Sequence, residues 1–394
     1  MRIGIAFAGN PEDPTARSGT PFGVLTGVRR LGVDAVGLQA TPPRSVDRGV
    51  AVADALAHVM SDPKRWSPTA AKLAYSSAHL ARATSVVRSS VLARRRSARG
   101  VDGVIALGTG YEIPRGLPYV VYDDMTVRQA IDMEYPVWTA MRESDRRFRL
   151  RQQARRYSEA VACCMTTSWA AESVISDYGV PPERVVVVGA GTHETVRDVV
   201  RNWNSPRFLF VGLDWNRKNG ARVLEAFAQI RLLVPDATLD LVGGHPPVDR
   251  DGVTCHGRLY RDDPAHRSVL TRLYDAATCF VMPSVHEPGG VVFVEAAAVG
   301  VGSIAGNRGG SADFVGDAGR VVDPFDERQI FDAMREMCDP VTAQECGARA
   351  SRRSRMFTWN QVAGRLIAAL DPSIAVTETI EPLSSTMRRE SPWR

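Results

Sequence analysis

The chain has 394 residues, of which 44% are hydrophobic and 24% charged, with a formal net charge of +5. That length exceeds what a single hydrophobic core sustains, so two domains of ordinary size are expected. No window approaches the eighteen or so uninterrupted apolar residues of a membrane-spanning helix, which argues against an integral membrane protein.

The opening stretch MRIGIAFAGNPED lacks the basic and long apolar regions of a secretion signal and reads as a strand entering a loop, so a cytoplasmic location is expected. Short β-rich runs then alternate with helix-period segments, the pattern of parallel sheets joined by crossover helices. In the first half strands are expected near 3–7, 35–38, 103–107, 119–122, 162–166 and 185–188, with helices near 21–31, 50–60, 70–96, 142–156 and 169–178. A polar stretch at 200–206 is the natural linker. Strands follow near 208–212, 239–242, 253–255, 279–282, 303–305 and 320–322, with helices near 221–233, 266–277, 291–299 and 327–337. The expectation is an N-terminal domain over 1–199, a C-terminal domain over 206–355, an amphipathic helix at 356–370, and a flexible tail at 371–394.

The six cysteines, at 163, 164, 255, 279, 338 and 346, show no C-x-x-C spacing and sit partly in apolar runs, so they read as reduced packing residues rather than metal ligands. Cationic residues are almost all arginine, since lysine occurs only at 64, 72 and 218. The segments 82–99 and 142–156 concentrate arginine. Their plain reading is solvated helix faces; the functional one is a surface for a phosphorylated acceptor or an anionic membrane. Neither is interleaved with stacking aromatics, so nucleic acid is not an expected partner.

Function concentrates in PSVHEPGGVVFVEAAAVGVG, residues 283–302. The strand CFVMPS delivers HEPGG to the carboxyl edge of a parallel sheet, where ligands of such folds bind. Gly289 and Gly290 let backbone approach a ligand closely, and a helix starting near Val291 offers unpaired N–H groups and a positive dipole end, a combination suited to a diphosphate. Glu287 and Glu295, eight positions apart, could each accept vicinal hydroxyls at opposite ends of that diphosphate, which describes a nucleotide sugar. Arg217 and Lys218, in FVGLDWNRKNG, supply cations from the next loop. In the first half, SGTPF places Thr20 to cap a helix with Pro21 in its first turn, and Gly19 to allow close approach.

These segments resemble the retaining glycosyltransferases of the GT-B fold, family 4. HEPGGVVFVE is similar to that family's E-x7-E signature, FVGLDWNRKNG to its diphosphate-binding segment, NRGGSADFV to its Gly-Gly loop, VVVVGAGTHET to the close of its first domain, and FTWNQVAGRLIAAL to its C-terminal crossover helix. The resemblance implies two Rossmann-like doubly wound α/β domains facing a central cleft. It further implies that Glu295 binds the ribose and Glu287 lies by the donor sugar. Main chain of Gly289, Gly290, Val291 and Val292 holds sugar and phosphate, Arg217 and Lys218 the diphosphate, and Gly19 the phosphates from the first domain. Main chain at Arg258 and Leu259 meets the base. Chemistry of this kind is retaining and metal independent, with no cofactor beyond the nucleotide diphosphate sugar, and the acceptor is a hydroxyl compound, with phosphorylated and lipid-linked kinds among the options.

Two departures stand out, the first being Pro288 and Gly289 in place of the family's usual aromatic and glycine after the first glutamate. Relatives carry a histidine after a strand of the first domain, where PYVVYDDMT offers Asp123, here taken as a sugar or acceptor contact with helix capping as its plain reading. His193 and His286 read as surface histidines. The alternative function is a non-catalytic nucleotide-sugar-binding protein of the same fold.

Overall fold

The computed structural model describes residues 1–61, 67–194 and 196–383. The chain divides into two compact units, one of Met1–Val188 with Trp359–Pro382 and one that begins at Gly189, runs to Thr358 and includes Leu383.

The first unit holds six parallel strands: β1 (Arg2–Phe7), β2 (Asp34–Gln39), β3 (Gly103–Leu107), β4 (Tyr119–Asp123), β5 (Ala162–Met165) and β6 (Val185–Val187), in the order β2-β1-β3-β4-β5-β6. Both faces of the sheet are covered, so the two-residue period of a strand divides its side chains between two cores. Ile105, Leu107, Val120, Tyr122 and Cys164 join one core, with the helices Thr20–Arg30 and Trp359–Leu370. Val104, Ala106, Tyr119, Val121, Cys163 and Met165 join the other, with Leu92, Tyr157 and Val174 from the opposite helices. Cys163, Cys164, Cys279 and Cys346 are buried thiols, whereas Cys255 is exposed.

The second unit repeats the plan with β7 (Arg207–Gly212), β8 (Thr238–Gly243), β9 (Val253–Gly257), β10 (Cys279–Met282), β11 (Gly302–Gly306) and β12 (Gly319–Val322), in the order β12-β11-β10-β7-β8-β9. Its core runs from Phe208 and Phe210 through Phe227, Phe280 and Phe293 to Ile330 and Met334. Doubly wound α/β architecture is therefore present in both halves.

Boundaries differ from the sequence expectation in three places. The first unit closes at Val188, earlier than 199, because Ala190 is part of the second core, Arg197 N–H donates to Ala298 O at 3.0 Å, and Arg201 donates to Val299 O and Gly300 O. The expected helix at 70–96 is two helices, Pro68–Ala78 and Arg82–Arg99. Residues 371–383 are held down: Gln361 donates to Thr379 O at 2.9 Å, Arg365 to Glu381 O at 2.7 Å, and Ile380 packs on the core of the first unit. The rest of the expected tail, 384–394, lies outside the described residues.

The helix Trp359–Leu370 crosses Thr20–Arg30 at very close range. A Cβ on Gly23 would fall 2.1 Å from the Trp359 ring, and one on Gly27 2.5 Å from Trp359 O. Gly23→Ala improves helix propensity by about 1 kcal/mol in a free helix, but overpacking of this kind costs about 1–3 kcal/mol. We expect a lowered thermal midpoint for Gly23→Ala; a raised one would show that the two helices are not packed in this way.

Candidate functional site

The second unit brings three loops together at the carboxyl edge of its sheet. Asn219 sits in the left-handed region at φ 64° and opens the helix Gly220–Leu233. Its side-chain amide donates to Pro283 O at 3.1 Å and Pro324 O at 2.7 Å, while Val285 N–H donates to Arg217 O at 2.8 Å. The loop after β7 is thereby tied to the loop after β10. Glu287 is fixed from its other side, where its N–H donates to Arg308 O and its carbonyl accepts from Gly310 N–H, both at 2.9 Å. Gly309, at φ 122°, is required there, because a Cβ would stand 2.0 Å from Glu287 O.

With its backbone held, Glu287 turns a buried carboxylate onto both expected cations. Oε2 accepts from Lys218 Nζ and, at 3.2 Å, from Arg217 Nη1, which also donates to His286 O at 3.1 Å. Burial opposes ionisation of Glu287, but Lys218 and Arg217 outweigh it and hold the carboxyl below its ordinary range. Burial likewise presses on the Lys218 ammonium, with Glu287 opposing. The two cations and the carboxylate predicted from sequence thus form one node.

Beside it, the helix Val291–Ala298 starts from Gly290 at φ 88° with no side-chain cap. Its first turn contains Phe293 N–H donating to Gly290 O at 3.0 Å, while the Val291 and Val292 N–H groups donate to no acceptor among the described residues. One and a half turns along, Glu295 is 3% exposed and each of its oxygens accepts one hydrogen bond: Tyr274 hydroxyl donates to Oε2 at 3.0 Å and Arg261 Nη2 to Oε1 at 2.5 Å. Glu194, half-buried nearby, is pushed above its usual range by burial and then by Glu295. Arg258 is exposed and Leu259 half-buried, both in the loop after β9.

Gly19 and Asp123 belong to the first unit. Gly19 (φ 78°) ends a run of three left-handed residues that begins with Arg17 (φ 46°) and Ser18 (φ 55°). Gly19, rather than Thr20, stands at the N-cap of the following helix, and no side chain caps it. Asp123 closes β4, where Arg17 Nη2 donates to its Oδ1 at 3.0 Å and to Asp124 Oδ1 at 2.9 Å. Burial raises the Asp123 carboxyl to about 6 against the pull of Arg17. The helix that follows is capped by Thr126, which accepts from Gln129 N–H, so capping is not the role of Asp123. His193 is exposed, and His286 is half-buried and lowered by burial and by Arg217. Among the described residues no group of three or more His, Cys, Asp or Glu side chains is placed to hold a metal ion.

Four members of these clusters escaped the sequence: Arg17, Asn219, Tyr274 and Arg261. Asn219 next to a glycine was the one available signal, since asparagine tolerates the left-handed region. The remaining three look like ordinary helix and loop residues until the chain is folded.

Removing the Glu287 charge strands Lys218, and breaking a buried pair from one side costs about 3–5 kcal/mol. Because the folded pKa of Glu287 is depressed, its contribution is present above the ordinary value of 4.5 and lost as pH falls through the lower folded value. Glu287→Gln should therefore lower stability at neutral pH and narrow its gap to wild type under acid, as read by denaturant titration; a gap independent of pH would contradict the pairing.

Residues 205–339 match the family of Glycosyl transferases group 1. The chain is 25% identical over 182 residues to sucrose-phosphate synthase of Spinacia oleracea, covering 40% of this chain and 17% of that one. It is 31% identical over 166 residues to glycogen synthase of Mycobacterium tuberculosis, covering 39% and 40%. The chain thus spans well under half the length of these relatives. Among solved structures, sucrose-phosphate synthase of Thermosynechococcus elongatus superposes with a TM-score of 0.62 at 18% identity, covering 95% of this chain and all of that one. The fold is that of the GT-B glycosyltransferases, and over residues 205–339 the chain carries a glycosyl transferases group 1 domain.

Proposed function

We propose that this chain transfers a sugar from a nucleotide diphosphate sugar to a hydroxyl acceptor, with retention at the anomeric carbon and without a metal. The observation that carries this reading is the convergence of Lys218 and Arg217 on Glu287 beside the uncapped N-terminus of the helix Val291–Ala298. A departing diphosphate needs positive charge on its oxygens, and here two cations and two free backbone N–H groups offer it in a largely buried place. Glu287 keeps the cations oriented until the diphosphate shares them, and its carboxylate then faces the donor sugar. Glu295, oriented by Tyr274 and Arg261, retains lone pairs for a ribose diol.

Retention and metal independence rest on the resemblance of HEPGGVVFVE to the E-x7-E signature and on the cationic charge already at the site. Arg258 and Leu259 remain the proposed base contacts, and Gly19 and Asp123 the proposed contributions of the first unit. No helix among the described residues is long and apolar enough to cross a membrane. We place the enzyme in the cytoplasm, with exposed arginines of the helices Arg82–Arg99 and Glu143–Glu159 available to an anionic membrane face.

Hydrogen bonds to a charged group are worth about 1.5–3 kcal/mol, so Glu295→Ala should weaken nucleotide diphosphate binding by roughly 10- to 100-fold. Lys218→Ala should lower turnover by about two orders of magnitude, as loss of one transition-state donor does. Calorimetry with UDP, GDP, ADP and dTDP, followed by nucleotide-release assays, reads both. Equal, negligible effects would defeat the proposal, and tight nucleotide binding without turnover on any acceptor would favour the non-catalytic alternative.

A further inference from the structure

The first unit contains a polar cluster that the donor site does not use. Three arginines from the segments expected to be solvated are buried: Arg88, Arg149 and Arg156, at 8%, 4% and 0% exposure. Arg156 lies 4.1 Å over the Tyr119 ring, and Arg88 faces Asp47 at 3.7 Å. Arg149 has no carboxylate within ion-pair distance among the described residues. Its Nη1 donates to Thr109 O at 3.1 Å and to Gln152 Oε1, and its Nε has no partner. Burial lowers this guanidinium to about 10 against the more distant pull of Asp123 and Glu112, so it is charged at neutral pH. An unpaired buried charge is costly, and a chain retains one where something else supplies the counter-charge.

Arg149 abuts a glycine-rich turn, Gly108-Thr109-Gly110, at the carboxyl end of β3, the edge where ligands of parallel sheets sit. Gly108 N–H donates to Tyr122 O at 3.1 Å, but the Thr109 and Gly110 N–H groups donate to no acceptor among the described residues. A Cβ on Gly110 would have only the Arg149 guanidinium as its nearest neighbours, at 3.6 to 3.9 Å, and one on Gly108 would have Arg17 Nη1 at 3.9 Å. The turn, buried at Thr109, thus leaves room beside its two glycines, carries two idle amides, and lies between a buried guanidinium with no ion-pair partner and a second one that is a third exposed. Spread amides with a guanidinium fork suit a tetrahedral oxyanion.

We propose that the Gly108–Gly110 turn and Arg149, with Arg17 at its rim, form a site for a phosphoryl group. On the functional reading above, that group belongs to the acceptor, which makes the acceptor a phosphorylated hydroxyl compound. The phosphoryl oxygens accept from the Thr109 and Gly110 N–H groups and from Arg149, and Asp123 on the neighbouring strand end limits how far toward β4 the anion sits.

Inorganic phosphate is the probe, read as the thermal shift of the full chain against chloride at matched ionic strength. Arg149→Gln should weaken the phosphate response at least 10-fold, and Gly110→Val, which fills the turn against the Arg149 guanidinium while leaving its charge in place, should do the same. Lys218→Gln should leave this response in place while weakening nucleotide diphosphate binding. If phosphate acts equally on wild type, Arg149→Gln and Gly110→Val, the site does not exist. If Lys218→Gln alone abolishes the response, phosphate binds only in the second unit, and the donor reading stands while this proposal fails. Should Arg149→Gln fail to fold, Gly110→Val carries the test by itself, and an undiminished phosphate response in it overturns the site. Phosphate sensitivity lost with Arg149 but nucleotide binding absent in wild type would leave the anion site standing and remove the donor reading.

Discussion

The second unit is organised around one buried carboxylate shared by two cations. Glu287 does not reach Lys218 and Arg217 by side-chain flexibility; its backbone is clamped by Arg308 O and Gly310 N–H, and Gly309 is the residue that permits the clamp. The loop carrying the cations is held in turn by Asn219 through Pro283 O and Pro324 O. Without Glu287, an ammonium and a guanidinium on adjacent residues would repel each other in a place with little water. With it, they are presented in a fixed direction beside the bare start of a helix. That is preorganisation in the literal sense, positive charge set in place before an anion arrives.

The first unit shows the opposite arrangement. Arg17 is matched by Asp123 and Asp124, whereas Arg149 has backbone and amide oxygens as its hydrogen-bond partners and feels Asp123 and Glu112 only from beyond ion-pair distance. A turn made of two glycines around a threonine, with unused amides, lies against it. One site therefore holds its counter-charge in direct contact and exchanges it, while in the other the acids stand off from the guanidinium. The left-handed run Arg17-Ser18-Gly19 belongs to the same edge, and the Arg17 ion pairs hold that strained turn in place.

Strand positions were legible because both sheets are covered on both faces, leaving apolar runs bounded by turns. The E-x7-E spacing, the glycine pair and the Arg217-Lys218 pair were legible because the chemistry depends on local sequence. What stayed hidden depends on distant partners. Nothing in AHLARATS marks a helix break, since the first amide of the second helix, Arg82 N–H, is satisfied by Asp145, 63 residues away. Tyr274 and Arg261 could not be assigned to Glu295 because in a chain so rich in arginine one more in a loop carries no signal. The early close of the first unit was hidden as well, because Arg197 and Arg201 bind backbone carbonyls near 300 that only the folded chain brings close.

The most direct measurement is a crystal structure of the chain with a bound nucleoside diphosphate. The account predicts diphosphate oxygens within hydrogen-bond distance of Lys218 Nζ and of the Val291 and Val292 N–H groups, with the ribose on Glu295. Density for the nucleotide elsewhere, with Lys218 and Arg217 still closed on Glu287, would contradict it.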